Sequence, residues 1–241
     1  MPPKLIFIRH AQALHNLRNK IHDPDLTDLG REQSRTLCKH LQETLPGKLD
    51  VDLIIVSPMR RCIQTAQIGL GFLIDPPPGG KKVPVVAHAG WQEVSAKPCD
   101  TGSPLEALAN EFPFVDFSKV DPVYPDKTSP AGAPYAYSKS AVLSRGQSVL
   151  RDLHSRPEKV IAVVSHSGFL RAGVCGWWFS NADYRVFDFA ERSADDADTP
   201  YQLVQSESTM SGGLGTCWTI PVVLGDGIPE AEAVPAGPEE A

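Results

Sequence analysis

The stretch IFIRHAQALHN, residues 6–16, opens apolar and β-branched, as a buried strand does, and then stops on Arg9 and His10. A second histidine, His15, and Asn16 close the same stretch. A strand that belongs in a core has no use for a guanidinium and an imidazole at its end unless that end emerges into a site. Two further stretches repeat the design. Residues 51–61, VDLIIVSPMRR, run from an apolar strand to Ser57, Arg60 and Arg61, and residues 159–168, KVIAVVSHSG, run to His166, Ser167 and Gly168. Continuous Val/Ile runs of this kind fit central strands covered on both faces.

Helical spacing fills the gaps between these strands. Residues 27–45, TDLGREQSRTLCKHLQETL, set Leu29, Gln33, Leu37, Leu41 and Leu45 on one face behind Thr27 and Asp28 as caps. Residues 60–73 and 144–156 read as further helices. Strand–helix alternation predicts an α/β fold with a mainly parallel sheet. The middle is different: IDPPPGGKKV, residues 74–83, is a Pro/Gly turn, and residues from about 95 to 138 are rich in Pro, Asp, Ser and Gly with Phe112, Phe114, Phe117 and Tyr124 interspersed. A segment this long without periodicity predicts a lid or insertion over the site, its aromatics needing a place to bury. The chain therefore reads as one domain over 1–224, followed by a disordered acidic tail over 225–241; ERSADDADTP, residues 191–200, reads as an exposed loop. No internal repeat is present.

The 241 residues carry a formal net charge of −6, with 41% hydrophobic and 22% charged side chains. That balance is ordinary for a globular enzyme and argues against a nucleic-acid or anionic-membrane surface. Five cysteines, Cys38, Cys62, Cys99, Cys175 and Cys217, are odd in number and widely spaced, which predicts reduced thiols and neither a disulfide framework nor a zinc cage. The first residues, MPPKLIFIRH, lack a signal peptide's apolar run, and no window approaches the ~18 apolar residues of a membrane span. A soluble, cytoplasmic protein is expected.

In an open parallel sheet, ligands bind beyond the carboxyl ends of the strands. If the three strands are neighbours, two histidines and at least two arginines converge on one crevice. Phosphoryl transfer asks for such a set. The transferring group spreads negative charge over its oxygens, and arginine's planar fork answers that charge bidentately. Neighbouring cations favour the neutral, nucleophilic form of a histidine.

These residues also carry a family resemblance. RHAQALHN (9–16) resembles the R-H-G-x-x-x-x-N signature of the histidine phosphatase superfamily, the branch that includes cofactor-dependent phosphoglycerate mutases. LTDLGREQ (26–33), SPMRRCIQTA (57–66) and VVSHSGFLR (163–171) resemble its L-T-x-x-G-x-x-Q, S-x-x-x-R-x-x-x-T-A and V-x-H-G-G blocks in the family's order, and QEVSAKPCDTGSP (92–104) resembles fungal phosphoglycerate mutase-like members. The resemblance implies a three-layer α/β/α sandwich with a mostly parallel central sheet. It implies His10 as the nucleophile that becomes phosphohistidine, Arg9, Asn16, Arg61 and His166 as phosphate ligands, and Glu93 as the proton donor. Asp100 is the competing donor. The family's register selects Arg61 over Arg60. No metal and no cofactor is implied; the partner is a small phosphorylated substrate, with phosphate as product, and neither nucleic acid nor membrane.

Two positions depart from the pattern: Ala11 and Ser167 stand where the family has glycine. An Ala11 forced to positive φ would be strained. His15, Arg60, Asp100 and Ser167 are further candidates for substrate contact. His22 with Asp23 and Asp25 reads as a solvated loop rather than a metal site, Arg145 and Arg171 as solvent-facing salt-bridge partners, and Cys62 as helix packing. A phosphatase acting through phosphohistidine is the expected function; a mutase and a non-catalytic phospho-ligand binder are the alternatives. The insertion is poor in the basic residues a mutase needs, which favours hydrolysis.

Overall fold

The computed structural model describes residues 1–14, 21–45, 49–191 and 199–230. Its elements in chain order are β1 (Lys4–Arg9), α1 (Asp28–Thr44), β2 (Leu53–Val56), α2 (Arg60–Gly69), a short α3 (Gly71–Ile74), β3 (Val85–Ala87), α4 (Leu105–Glu111), β4 (Val115–Asp116), α5 (Lys139–His154), β5 (Val160–Ser165), α6 (Ser167–Phe169), β6 (Tyr184–Phe189) and β7 (Leu203–Gln205). A π-helical turn, Leu170–Cys175, continues α6.

The strands form one sheet in the order β4-β3-β2-β5-β1-β6-β7. Pairing is parallel from β4 through to β1, and β6 and β7 close the other edge antiparallel. The expected α/β architecture with a mostly parallel sheet is what is found. β5 returns from the far edge to insert between β2 and β1, so the three catalytic-looking strand ends are neighbours. Their period-two alternation splits the core. Ile6, Ile8, Ile54, Val56, Ala162 and Val164 face Leu37 and Leu41 of α1 and Ile63 of α2. Leu5, Phe7, Leu53, Ile55, Ile161 and Val163 face Val142, Val149 and Leu153 of α5 and Phe169. Each such Leu, Ile or Phe contributes about 1.5–3 kcal/mol by burial.

Two expectations are corrected, on the face of α1 and on the segment after 225. The buried face of α1 is Gly30, Ser34, Leu37 and Leu41, while Leu29 is 49% exposed. The first turn lies against the Gln12 backbone, where Thr27 N donates to Gln12 O at 3.0 Å, and only small residues fit that contact. The middle segment supplies α4 and the edge strand β4, and its Phe112, Tyr124 and Tyr135 are buried. The segment expected to be a free tail from 225 onward is packed as far as Glu230. Gly225 N donates to Ala172 O at 2.8 Å, Lys139 N donates to Pro229 O at 2.7 Å, and Ile228 is buried. Most of the 191–200 loop lies outside the described residues. No helix among the described residues is long and apolar enough to cross a membrane.

One close approach fixes α5 against the π-helical turn Leu170–Cys175. A Cβ added to Gly146 would stand 1.7 Å from the carbonyl oxygen of Gly173, a backbone atom that cannot swing aside. Gly146→Ala is expected to destabilise the fold by about 1–3 kcal/mol, as overpacking does. The measurement is a urea denaturation midpoint at constant m value, and an unchanged midpoint would show that the contact yields.

Candidate active site

β1 and β5 pair in parallel with Arg9 opposite Ser165, so the next residues, His10 and His166, stand side by side. Their ring centroids are 5.2 Å apart, edge to face. The His10 backbone is held from both sides: its N–H donates to Ser165 O at 2.9 Å, and its carbonyl accepts from Asn181 Nδ2 at 3.0 Å. The Nδ1 of the buried His10 ring lies 2.7 Å from the carbonyl oxygen of Ala11. A carbonyl can only accept, so Nδ1 carries the proton and the lone pair belongs to Nε2. Ala11 is not strained, since Asp23 and Ala182 are the non-glycine residues at positive φ among those described. Its N–H donates to Thr65 Oγ1 at 3.0 Å, which ties the turn after His10 to α2.

His166 is fully buried. Its Nδ1 is 3.0 Å from a terminal nitrogen of Arg61 and its Nε2 is 2.8 Å from Ser57 Oγ. A guanidinium only donates, so Nδ1 accepts and the Nε2 proton faces Ser57. Arg61, in the first turn of α2, is wholly buried and also donates to Cys99 O at 2.6 Å and to Asp100 Oδ1 at 3.3 Å. Its Nε and that of Arg9 have no partner. Arg9 is half-buried, donates to Phe179 O at 2.7 Å, and has its pKa lowered by burial. It also lines a crevice of about 550 Å³ with Glu32, Gln33, Asn181 and Thr216; neither histidine reaches that crevice.

Glu93 follows the short 3-10 turn Ala89–Trp91. One carboxylate oxygen accepts from Val94 N at 2.9 Å and the other from Gly168 N at 3.2 Å, just after His166. A Cβ at position 168 would come within 2.5 Å of that carboxylate, so the family's glycine survives here for room. Burial, then the charge of Asp100, raises the Glu93 pKa above the usual carboxylate range; Arg61 opposes this with a smaller effect. Asp100 stands differently: it is paired with Arg61 and accepts from Ser95 Oγ at 2.6 Å.

The remaining candidates divide. Ser167 sits beside His166 with a buried, unpartnered hydroxyl. Arg60, the first residue of α2, is turned away from the group: it pairs with Glu111 at 2.6 Å, and its backbone N–H donates to Asp23. Cys62 lies 3.4 Å from His166 Nε2, but burial pushes its thiol far above the reactive range. His15 and Asn16 lie outside the described residues. Among the described residues no cluster of histidine, cysteine and carboxylate side chains could hold a metal ion.

Two buried cations were not anticipated. Arg145 was expected at the surface, yet it is buried, stacked 4.1 Å over the Phe169 ring, and none of its guanidinium nitrogens has a hydrogen-bond partner. Burial lowers its pKa to about 10. The signal was available, for Val142, Arg145 and Val149 share one helical stripe. Lys127, from the insertion, is buried against the segment carrying Glu93 and Asp100, and nothing in its neighbourhood of the sequence marks it. Burial and Arg145 lower its pKa to about 7, against Asp100 and Glu93. Around Glu93 and Asp100 the buried or half-buried cations Arg9, Arg61, Lys127 and Arg145 thus outnumber the carboxylates.

These contacts fix both ring tautomers. Two-bond 15N correlation spectra at pH 7 should show His10 protonated on Nδ1 and His166 on Nε2. A His166 proton on Nδ1 would contradict the contact from Arg61.

The family described as histidine phosphatase superfamily (branch 1) matches residues 5–193. A "Probable phosphatase" of Schizosaccharomyces pombe is 34% identical over 173 residues, covering 69% of this chain and 75% of its own. A "Phosphoglycerate mutase-like protein" of Arabidopsis thaliana is 32% identical over 195 residues, covering 68% and 70%. Among solved structures, a phosphoserine phosphatase variant from Entamoeba histolytica in complex with phosphoserine superposes with a TM-score of 0.51 at 20% identity, over 85% of this chain and 95% of that one. The α-ribazole phosphatase of Shigella flexneri superposes with a TM-score of 0.50 at 16% identity, over 78% and 91%. The chain belongs to branch 1 of the histidine phosphatase superfamily.

Proposed function

We propose that the protein hydrolyses a small phosphomonoester through a phosphohistidine on His10. The observation that carries this reading is the His10 ring, its Nδ1 proton anchored on Ala11 O and its ring centroid 5.2 Å from that of His166, which Arg61 contacts. In the first step His10 Nε2 forms a bond to phosphorus as the bond from phosphorus to the leaving oxygen breaks. Glu93, whose pKa is raised by burial, gives that oxygen its proton. In the second step Glu93, now ionised, takes a proton from water. The resulting hydroxide attacks phosphorus, the P–N bond breaks, and phosphate leaves.

Arg9 and Arg61, each with an unpartnered buried Nε, would receive the phosphoryl oxygens with Ser167; His166 would join them by turning its Nε2 proton from Ser57 to an incoming oxygen, and Asn16 would add an amide. The positive charge the reaction needs is therefore supplied by side chains, which supports a metal-independent reaction. Phosphatase names among the relatives and the phosphoserine held by a structural neighbour support a small phosphorylated substrate. Hydrolysis is favoured over phosphate isomerisation because Lys127 of the insertion is engaged by backbone carbonyls and is not available to a second anionic group of a substrate.

His10→Ala is expected to lower kcat/KM on 4-nitrophenyl phosphate by at least about 10³-fold and to abolish an acid-labile phosphoryl label on the protein. Retained turnover on every phosphomonoester tried would overturn the mechanism. The transfer step needs Glu93 protonated, so kcat/KM on an alkyl phosphate should fall as pH rises through its raised pKa. Glu93→Gln should remove that limb and cost about 10²-fold on the same substrate. A limb that persists in Glu93→Gln would move the acid role elsewhere.

A further inference from the structure

We propose that Lys127, delivered by the insertion, is a positioning residue for the general acid: it fixes the 93–100 segment so that Glu93 reaches the leaving oxygen. This rests on the phosphatase reading above. The geometry is a closed one. Lys127 Nζ donates to the carbonyl oxygens of Glu93 at 2.8 Å, Ser95 at 2.9 Å and Asp100 at 2.6 Å. An ammonium has three donors, and all three are spent on acceptor-only groups of one segment. That segment carries the proposed acid and, at its other end, two of the groups that hold Arg61: the Cys99 carbonyl and the Asp100 carboxylate.

No regular element supports this segment. Between the 3-10 turns Ala89–Trp91 and Pro98–Asp100 its backbone belongs to neither helix nor sheet, so its carbonyls need partners from outside. Lys127 supplies them across more than 25 residues of sequence. Its own position is set by Asp126, whose carboxylate accepts from Thr128 N at 2.9 Å, Ser129 N at 3.1 Å and the Ser129 hydroxyl. This turn aims the lysine inward while Asp126 remains at the rim. Because Lys127 meets main-chain oxygens rather than the Glu93 carboxylate, it acts through placement, and misplacement of an acid by about 1 Å can cost up to ~10²-fold.

The test uses leaving groups. An aryl phosphate such as 4-nitrophenyl phosphate leaves with little protonation, whereas glycerol 2-phosphate leaves as an alkoxide that needs the acid. The parameter kcat/KM reports only steps through phosphohistidine formation, so the second half-reaction does not enter. Lys127→Met should lose about tenfold more on glycerol 2-phosphate than on 4-nitrophenyl phosphate, a fraction of what general acid catalysis contributes. In a Glu93→Gln background it should add no further selectivity, since the two act as one unit. Asp126→Ala, a rim change that leaves the buried cation in place, should show the same selectivity at about threefold, and it decides the matter if Lys127→Met fails to fold. Equal losses on both substrates in Lys127→Met and Asp126→Ala, or undiminished selectivity without Glu93, overturn the assignment. If His10→Ala keeps wild-type turnover, the phosphatase reading falls and the assignment with it. If His10→Ala is inactive and the ratio is unchanged, only the assignment falls.

Discussion

The parallel register of β1 on β5 is the constraint from which the site follows. With Arg9 opposite Ser165, the two histidines that follow are placed at one level, and the His10 N–H continues the ladder by donating to Ser165 O. A slip of one residue would turn His10 and His166 to opposite faces. Such pairing cannot form locally. The chain leaves β1, crosses through α1 to β2, builds outward to β4, and only then returns through α5 to lay β5 between β2 and β1. The imidazoles meet after most of the chain has folded, which places this site at the costly end of contact order.

Around that pair the protein tolerates an electrostatic imbalance that its core alone would not select. Arg61, Lys127 and Arg145 are buried cations, and only Arg61 has a carboxylate hydrogen-bonded to it. A desolvated guanidinium with unpartnered nitrogens opposes folding. The same arrangement lowers the cost of bringing in a dianion, since its charge would answer cations already dehydrated and already fixed. Violations of local rules concentrated in one place are what a functional site looks like in an otherwise consistent fold.

Much of this was legible in the sequence because it is written in short-range pattern. Three apolar strands ending on His or Arg, a Thr27 cap before α1, and the four family blocks all lie within windows of about ten residues. The choice between Glu93 and Asp100 was not so written, because it depends on what each carboxylate touches: Gly168 in one case, Arg61 in the other. The divergent directions of Arg60 and Arg61 depend on where α2 begins, one residue deciding which side chain points inward. Lys127 and the packed 225–230 segment are set by contacts with distant backbone, for which composition and periodicity hold no trace. Arg145 was legible and misread, its charge outweighing its place in an apolar stripe.

The contact between Gly168 and Glu93 couples two positions 75 residues apart into one sequence character. A carboxylate of this length at 93 leaves no volume for a side chain at 168, and any side chain at 168 would require that carboxylate to retreat. The pair should therefore change together when related chains are compared. A relative with a larger residue at the equivalent of 168 identifies itself, from that letter alone, as a protein in which no carboxylate sits where that of Glu93 sits here.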